Sequence, residues 1–311
     1  MPLPTIHVAA AAIIRADGQF LLASRPADKS YAGYWEFPGG KLEAGESAYL
    51  ALVRELDEEL GIHVTQATPW ITRTYDYTSV RVVLSFFRVT AWTGEPQPRE
   101  GQMLAWQDAC NVSVAPLLPA NLPIIKALSL PTTMGITQAQ NDARGFLVQL
   151  DIALANGLKL IQIREKSMPS DAFREFAHTV TQRAHQHGAY TIINADIALA
   201  HSIGADGVQL TSHQLANLSA RPDLYWVGAS CHNTEELNHA EQLGCDYALL
   251  SPVLPTASHP GAPTLGWDEF ARLSASRNLA VFALGGLNAD DLNHAQQQGA
   301  HGIALLRGAW L

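Results

Sequence analysis

Three glutamates in the first half of the chain are the residues whose spacing most clearly predicts chemistry. Glu55, Glu58 and Glu59 occupy positions i, i+3 and i+4, so on a helix their carboxylates share one face. Three like charges so close repel one another, and a bound cation makes the arrangement favourable. Because all these ligands are oxygen atoms, Mg2+ or Mn2+ is the expected ion. The alternative is a solvated helix face that is rich in glutamate.

A helix is expected to carry these carboxylates. The stretch from Ser47 to Leu60 has helical spacing and stops at Gly61, a residue that favours the end of a helix. Beside the acidic face runs a second set of residues at helical spacing, which should face the core. The predicted buried stripe consists of Tyr49, Leu52, Leu56 and Leu60.

Strands are predicted on both sides of this helix. Two apolar runs, Val8 to Ile14 and Phe20 to Ala23, flank the turn signal Asp17-Gly18 and predict a hairpin. Two later stretches, Trp70 to Asp76 and Arg81 to Thr90, are rich in residues that favour strands. The first half of the chain is therefore expected to mix strands with helices.

A glycine loop and an arginine accompany the acidic helix at a fixed spacing. The sequence reads Gly40-Lys-Leu-Glu-Ala-Gly-Glu46, then seven residues, then Arg54-Glu55-Leu56-Asp57-Glu58-Glu59-Leu60-Gly61-Ile62. This is the whole Nudix box, and the region from Val8 to Leu128 resembles MutT-type Nudix hydrolases. Two further matches are Arg25-Pro-Ala-Asp28 and Trp35-Glu-Phe-Pro-Gly-Gly40. The resemblance implies an α/β/α sandwich with a mixed sheet and a metal-dependent pyrophosphohydrolase.

Roles for individual residues around the metal follow from this resemblance. It implies that a backbone carbonyl of Gly39 joins the metal shell and that Glu100, after Gly94-Glu95-Pro96, is a further ligand or the water-activating base. Metal ions bridging the phosphates would stabilise the charge that develops when water attacks phosphorus. Arg54 is expected to hold a metal-binding glutamate through a charge-assisted hydrogen bond, with a surface helix pair as the alternative. The predicted metal ligands are Gly39, Glu55, Glu58, Glu59 and Glu100, and which carboxylate is the base stays open.

The same resemblance singles out a residue for reading the base. Asn121 lies in Leu118-Pro-Ala-Asn-Leu-Pro123, where the MutT family carries a PANxP segment. Oxidation of guanine at C8 turns N7 from an acceptor into an N–H donor, while O6 remains an acceptor. One asparagine amide can accept from that N–H and donate to O6, which predicts 8-oxo-dGTP as the substrate. The alternative is a turn residue beside prolines.

Three further residues are candidates for binding the nucleotide. Phe37 is expected to pack around the base, and Arg25 to contact a phosphate or the base. Arg81 lies near the position at which the MutT family has another base-contacting arginine. For Phe37 and Arg25, ordinary roles in the core or on the surface are the alternatives.

After Leu130 the pattern changes to short apolar runs separated by helical stretches. This alternation is typical of repeated β-α units and a parallel sheet. Eight such runs predict a short (β/α)8 TIM barrel, with domains at 1–130 and 131–311 and a linker from Leu128 to Thr133. The expected fold class is α/β. The predicted strands are Met134 to Thr137, Leu158 to Ile163, Thr191 to Ile193, Gly207 to Leu210, Tyr225 to Ala229, Tyr247 to Ser251, Ala280 to Leu284 and Gly302 to Leu306.

The second half, from Thr133 to Ala309, resembles thiamine phosphate synthase and TenI. Most matching residues follow predicted strands, where a barrel places its active site. Gly285 and Gly286 are expected to let backbone N–H groups approach a phosphate. Arg164 and Lys166 are expected to add cationic contacts to a thiazole or thiamine phosphate. The matching segments are Ile161-Gln-Ile-Arg-Glu-Lys166, Ile203-Gly-Ala-Asp-Gly-Val-Gln-Leu210, Gly228-Ala-Ser-Cys-His232, Ser251-Pro-Val-Leu-Pro-Thr256 and Leu284-Gly-Gly-Leu287.

Two departures from the synthase pattern concern its metal site. The resemblance implies two aspartates that bind Mg2+ for the pyrophosphate of the pyrimidine substrate, but the sequence has Ala195 and Gln214 at these positions. Synthase activity is therefore expected to be lost. TenI, a thiazole tautomerase, needs no metal, and its histidine corresponds to His232, which could shuttle a proton near neutral pH. The alternative is a retained structural histidine in a binding module or dimer scaffold.

Composition and charge limit the possible partners. The formal net charge of -9 disfavours polymeric nucleic acid, because binding it normally demands a basic face. No apolar run is long enough for a membrane span, and Met1 to Ala12 lacks the features of a signal peptide, so a cytoplasmic location is expected. Cys110, Cys231 and Cys245 have no spacing for zinc or for a disulfide framework. The short stretch after the eighth predicted strand leads us to expect a homodimer through the barrel.

The leading hypothesis is an enzyme that hydrolyses 8-oxo-dGTP to 8-oxo-dGMP and pyrophosphate and so cleanses the nucleotide pool. A second enzyme hypothesis, favoured by the attached barrel, is hydrolysis of thiamine-pathway pyrophosphates or of damaged thiamine diphosphate. A third makes the barrel a ligand-sensing or dimerising module.

Overall fold

In the computed structural model, which describes residues 3–139, 142–256, 261 and 263–310, the chain divides into two units. The first consists of Met1–Leu130 together with Ala275–Asn278, and the second of Pro131–Ser274 together with Leu279–Leu311. The outermost residues of the predicted domains, Met1 and Leu311, lie outside the described residues. None of the helices in the described part of the chain is long and apolar enough to cross a membrane.

Two sheets and a long helix organise the first unit. Its strands are β1 (Thr5–Ile13), β2 (Phe20–Ser24), β3 (Trp35–Glu36), β4 (Gly39–Lys41), β5 (His63–Asp76), β6 (Arg81–Thr93) and β7 (Leu104–Gln107), and its helices are α1 (Ala48–Leu60), a 3-10 turn (Pro119–Asn121) and α2 (Leu122–Leu128). One sheet has the order β4-β1-β6-β5 and the other β3-β2-β7. Because β1 runs parallel to β6 while the other pairs are antiparallel, the predicted mixed sheet is confirmed.

Helix α1 begins and ends where its sequence predicts. The Ser47 side chain accepts a hydrogen bond from the amide of Leu50, and Gly61 ends the helix in the left-handed conformation with φ 70°. Leu52, Leu56 and Leu60 are fully buried. The prediction for Tyr49 is wrong, because this residue is 42% exposed and lies at the margin of the stripe, while Ala51 faces the core.

The predicted hairpin between β1 and β2 is also wrong. The chain does turn at Gly18, where φ is 85°, and a single bridge joins Ile14 to Phe20. Beyond it the strands separate, because β1 pairs with β4 and β6 while β2 pairs with β3 and β7. The turn motif predicts that the chain reverses direction, and it does. More extensive pairing with other strands decides which strands β1 and β2 pair with.

The second unit is a closed barrel of eight parallel strands, which confirms the prediction. The strands are β8 (Thr133–Ile136), β9 (Leu160–Ile163), β10 (Tyr190–Asn194), β11 (Gly207–Leu210), β12 (Trp226–Cys231), β13 (Tyr247–Leu250), β14 (Ala280–Leu284) and β15 (Gly302–Leu305). The helices are α3 (Ala143–Ala155), α4 (Ser170–Gln186), α5 (Ile197–Ile203), α6 (Ser212–Asn217), α7 (Thr234–Leu243), α8 (Gly266–Ser274), a 3-10 turn (Ala289–Asp291) and α9 (Leu292–Gln297).

Alternation along the barrel strands separates two layers of buried residues. On β11, Val208 and Leu210 join the apolar layer between strands and helices, while Gln209 between them is fully buried and bonds to Ser230 on the next strand. After the last strand, Trp310 packs edge-on against Phe146 with ring centroids 4.8 Å apart. Its indole N–H also donates to the carbonyl of Ile136 at 2.9 Å, so this segment is tied to the first barrel strand.

Candidate active site

The glycine loop and the acidic helix meet at Gly40 and Glu55. A Cβ added to Gly40 would lie 2.1 Å from the carboxyl carbon of Glu55, so the Glu55 side chain would have to move if a larger residue replaced this glycine. The Glu55 side chain is only 17% exposed. The Glu55 carboxylate therefore packs closely against the backbone of strand β4.

Glu59 lies one turn further along α1, on the same side as the loop. The amide N–H of Gly39 donates to its carboxylate at 3.2 Å. Burial raises the pKa of Glu59 to about 8, against the lowering effect of the Gly39 N–H, and the negative charges of Glu55 and Glu100 raise it further. The contact with Gly39 is made by its amide, while the role implied for its carbonyl stays a prediction.

Arg54 is the centre of an ion-pair network around the helix. Its guanidinium donates to Glu55 at 2.9 Å, to Glu58 at 3.2 Å and to Glu46 at 3.0 and 3.1 Å, and also to the carbonyl of Lys41 at 3.1 Å. The hydrogen bonds that Arg54 donates to Glu46, and then the one it donates to Glu55, raise the pKa of Arg54. The same pairing lowers the pKa of Glu46. Glu46, which lies in the glycine loop, therefore joins the glutamates of the helix in this network.

The chemistry of the carboxylates suits a metal cation, although two of them, Glu55 and Glu58, are paired with Arg54. Within the described residues, no three His, Cys, Asp or Glu side chains already form a group that could hold a metal ion. Glu55 and Glu58 point at the guanidinium between them, and Glu58 is 59% exposed. The candidate metal-binding atoms are carboxylate oxygens. Repulsion from the charges of Glu55 and Glu100 contributes to the high pKa of Glu59. An oxygen-rich, negatively charged site of this kind fits Mg2+ or Mn2+.

Glu100 reaches the same region from the loop before β7. Its carboxylate lies 3.9 Å from the ammonium group of Lys29 and is close enough to Glu59 to raise the pKa of that residue. The loop therefore brings a fourth carboxylate toward the helix.

Asn121 is buried at the 3-10 turn that precedes α2. It is 3% exposed, and its side-chain nitrogen has no hydrogen-bond partner among the described residues. The segment is held beside β3, because the amide of Leu118 donates to the carbonyl of Trp35 at 3.1 Å. A buried amide nitrogen without a hydrogen-bond partner is costly, which makes Asn121 a candidate for contact with a ligand.

The other predicted nucleotide-binding residues lie in different surroundings. Phe37 is buried, with its ring 5.5 Å from that of Phe20, as expected for a core residue. Arg25 forms two hydrogen bonds to Glu36 at 2.6 and 2.7 Å, which oppose the rise that burial causes in the pKa of Glu36. Arg81 pairs with Asp76 at 2.6 and 2.8 Å, next to the turn that joins β5 to β6.

The carboxyl ends of the barrel strands carry the second group of candidates. Gly285 and Gly286 have φ values of 103° and 73°, and a Cβ at Gly286 would lie 2.6 Å from the carbonyl oxygen of Pro255. The amide of Arg164 donates to Thr137 at 2.9 Å, and burial lowers the pKa of its guanidinium. Lys166 is exposed.

A hydrogen bond joins the two positions expected to hold metal-binding aspartates, Ala195 and Gln214. The side-chain N–H of Gln214 donates to the carbonyl of Ala195 at 2.6 Å, and its oxygen accepts from the amide of Thr211 at 3.1 Å. Gln214 thereby caps α6 and joins it to the end of β10. Neither residue has a carboxylate, and the hydrogen bond between them connects α6 to the end of β10.

His232 follows β12 and pairs with the helix after it. Its ring Nδ1 lies 3.0 Å from a carboxylate oxygen of Glu236, which also accepts the His232 backbone N–H at 2.6 Å. The side chain is 48% exposed. The Glu236 contact orients the ring and leaves Nε2 as the nitrogen able to meet a ligand.

The barrel interior contains polar groups that the sequence analysis did not single out. Gln162 donates to Asn194 at 2.9 Å and Gln209 to Ser230 at 3.1 Å, while the hydroxyl of Tyr247 is buried with no hydrogen-bond partner within the described part of the chain. The sequence signal for these groups is a glutamine between apolar neighbours in each of two buried strands, at Gln162 and Gln209.

Known families match both units. The thiamine monophosphate synthase family model matches residues 133–309, and the NUDIX domain model matches residues 4–130. A thiamine-phosphate synthase of Thermobifida fusca is 36% identical over 180 residues, 55% of this chain and 81% of that protein. An 8-oxo-dGTP diphosphatase of Proteus vulgaris is 44% identical over 96 residues, 31% of this chain and 86% of that protein. A CTP pyrophosphohydrolase of Escherichia coli is 42% identical over 117 residues, 38% of this chain and 87% of that protein.

Proposed function

The chain belongs to the thiamine monophosphate synthase family through residues 133–309 and to the NUDIX family through residues 4–130, and from this premise we propose that its first unit hydrolyses 8-oxo-dGTP. Water would attack phosphorus, the bond to the bridging oxygen would break, and 8-oxo-dGMP and pyrophosphate would leave. The NUDIX membership makes the first unit a pyrophosphohydrolase, and the choice of nucleotide is our proposal.

Four carboxylates would hold the metal ion that this reaction needs. Mg2+ or Mn2+, when bound, supplies charge stabilisation at the phosphates. The candidates to bind it are Glu55, Glu58, Glu59 and Glu100. Glu100, which reaches the site from the loop before β7, is our candidate for taking up the proton of the attacking water. Arg54 keeps Glu55 and Glu58 on one side of the helix.

The observation that carries the choice of base is the unpaired side-chain nitrogen of Asn121. In 8-oxoguanine, O6 would accept from this nitrogen while N7–H donates to the amide oxygen. Ordinary guanine presents a lone pair at N7, so the amide oxygen would face another acceptor. Because Asn121 is 3% exposed, the base can reach it only when covering side chains move aside.

A panel of pyrophosphates tests this proposal. The purified chain should be assayed with Mg2+ against 8-oxo-dGTP, dGTP, CTP, thiamine diphosphate and ADP-ribose, with kcat/KM as the readout. We expect 8-oxo-dGTP to be preferred over dGTP. CTP belongs in the panel because the Escherichia coli relative is a CTP pyrophosphohydrolase. A clear preference for CTP or for any other compound would overturn the proposal.

The second candidate function is hydrolysis of thiamine-pathway pyrophosphates. The observation that favours it is the fusion itself, because residues 133–309 match the thiamine monophosphate synthase family. Asn121 favours the purine nucleotide instead. The same panel separates the two, since thiamine diphosphate would be the best substrate under the second candidate.

For the barrel we propose a thiazole or thiamine phosphate ligand and a loss of synthase activity. Gly285, Gly286, Arg164 and Lys166 are the proposed contacts to the phosphate. The absence of carboxylates at Ala195 and Gln214, and their bond to each other, support the loss of a site for metal-bound pyrophosphate. His232 would move a proton between the tautomers of a thiazole. A homodimer through the barrel stays a prediction.

A further inference from the structure

A buried amide connects the loop that carries Glu100 to the helix that carries Glu59. Gln102 is 6% exposed, although glutamine is normally a surface residue. Its side-chain oxygen accepts the backbone N–H of Glu100 at 2.7 Å. Its side-chain nitrogen donates to the backbone carbonyl of Glu59 at 3.0 Å. One side chain is therefore bonded to the backbone of both acidic residues.

The rest of the loop is bonded to the same end of the helix. The last carbonyls of an α-helix have no partners within it and need others. Here the amide of Gln97 donates to the carbonyl of Leu60 at 2.9 Å, and the amide of Arg99 to that of Glu59 at 3.1 Å. The guanidinium of Arg99 donates to the carbonyl of Asp57 at 2.8 Å. The loop thus caps α1, but of these residues Gln102 alone also bonds to Glu100 within the described part of the chain.

We propose that Gln102 is a positioning residue for the pyrophosphohydrolase reaction, which sets where the Glu100 carboxylate stands relative to Glu59. This inference rests on the proposed function of the acidic site. Without the bonds of Gln102, the loop at Gly101, where φ is 78°, could turn Glu100 away from a neighbour of the same charge. Such supporting contacts to metal-binding groups typically affect metal affinity or activity by about 10–100-fold.

The two bonds require an amide at this position. A side chain here must accept from one backbone group and donate to another, and among side chains of this length only glutamine does both. Glutamate would keep the bond to the Glu100 N–H but would place an acceptor against the carbonyl of Glu59. Methionine has a similar volume and makes neither bond.

Gln102→Met tests the proposal, with Gln107→Met as the matched control. Gln107 is 4% exposed and also uses both ends of its amide, accepting from Ser113 at 2.7 Å and donating to the carbonyl of Trp106 at 2.8 Å. None of these groups belongs to the acidic site. Both variants should lose comparable stability in thermal unfolding. We expect Gln102→Met alone to lower kcat about 10–100-fold, with little change in KM, and to require more Mg2+ for half-maximal rate.

The readouts separate this proposal from the proposed function. The rates are measured on whichever pyrophosphate the unaltered chain prefers, so a different substrate overturns the 8-oxo-dGTP proposal without affecting the test. If the unaltered chain hydrolyses none of them, Mn2+ binding measured by calorimetry compares the two variants instead, with weaker binding expected for Gln102→Met alone. Equal effects of the two variants, or none from Gln102→Met, would overturn the role of Gln102.

Discussion

The amide N–H of Gly39 donates a hydrogen bond to the Glu59 carboxylate at 3.2 Å and so joins the glycine loop to the acidic helix. This single donor does not offset the burial of Glu59 and the charges of Glu55 and Glu100, which together raise the pKa of Glu59 to about 8. The surroundings of Glu59 thus disfavour the ionised form of its carboxyl group. A bound cation would reverse that balance, and both effects can be measured.

The first prediction concerns stability against pH without divalent cations. Glu59 has an ordinary pKa near 4.5 when unfolded and about 8 when folded, so the folded state binds its proton more tightly. Its contribution to stability is complete below about pH 4.5 and is lost as pH rises through about 8. In the presence of a chelator, the Tm of Glu59→Gln should therefore fall less steeply than that of the unaltered chain as pH rises from 5 to 8. The exposed Glu43→Gln serves as control, and equal slopes in all three proteins would contradict the prediction.

The second prediction concerns catalysis by the acidic helix. Glu58→Gln removes a proposed metal ligand that is 59% exposed, so the fold should stay intact while Mg2+-dependent turnover drops by at least about a hundredfold. Circular dichroism and steady-state rates measure the two effects. Glu95→Gln, in a loop of the same unit, should keep its rate. Near-normal turnover in Glu58→Gln would remove this residue from the metal site.

The third prediction concerns selection of the base. Asn121→Ala should reduce the preference for 8-oxo-dGTP over dGTP by about 1–3 kcal/mol, mainly through weaker binding of the oxidised base. The ratio of kcat/KM values for the two nucleotides gives this difference directly. Asn111→Ala, an exposed asparagine of the same unit, should leave the ratio unchanged. An unaltered ratio in Asn121→Ala would mean that another residue reads the base.

The fourth prediction concerns the barrel. The full chain should bind thiazole phosphate or thiamine phosphate in calorimetry, but should not join pyrimidine diphosphate to thiazole phosphate, because no aspartate holds an ion for the leaving pyrophosphate at Ala195 or Gln214. His232→Ala should abolish any tautomerase activity while binding persists. The exposed His239→Ala, on helix α7, is the control. Robust thiamine phosphate synthesis would refute the loss of that activity, and lack of binding to either ligand would leave the barrel as a scaffold.

Much of the fold could be predicted from local patterns. The bounds of α1 follow from a cap at Ser47, a stop at Gly61 and apolar residues at helical spacing, all of which act within a few residues. The barrel strands appear as short apolar runs because both of their faces are buried. The wrong prediction of a hairpin arose because the choice lay between distant strand partners. The turn at Gly18 specified a reversal, yet the partners of β1 and β2 come from elsewhere in the chain.

The sequence by itself determined which residue types stand at the acidic site, since the spacing of Glu55, Glu58 and Glu59 and the glycines before them are properties of a continuous stretch. Only the tertiary structure decided what surrounds those residues. Gln102 bonds to Glu59 across 43 positions of the chain, and Gln214 bonds to Ala195 across 19. Local periodicity carries no information on such pairs, because a hydrogen bond between separate elements depends on how they pack and on which polar groups packing leaves without water.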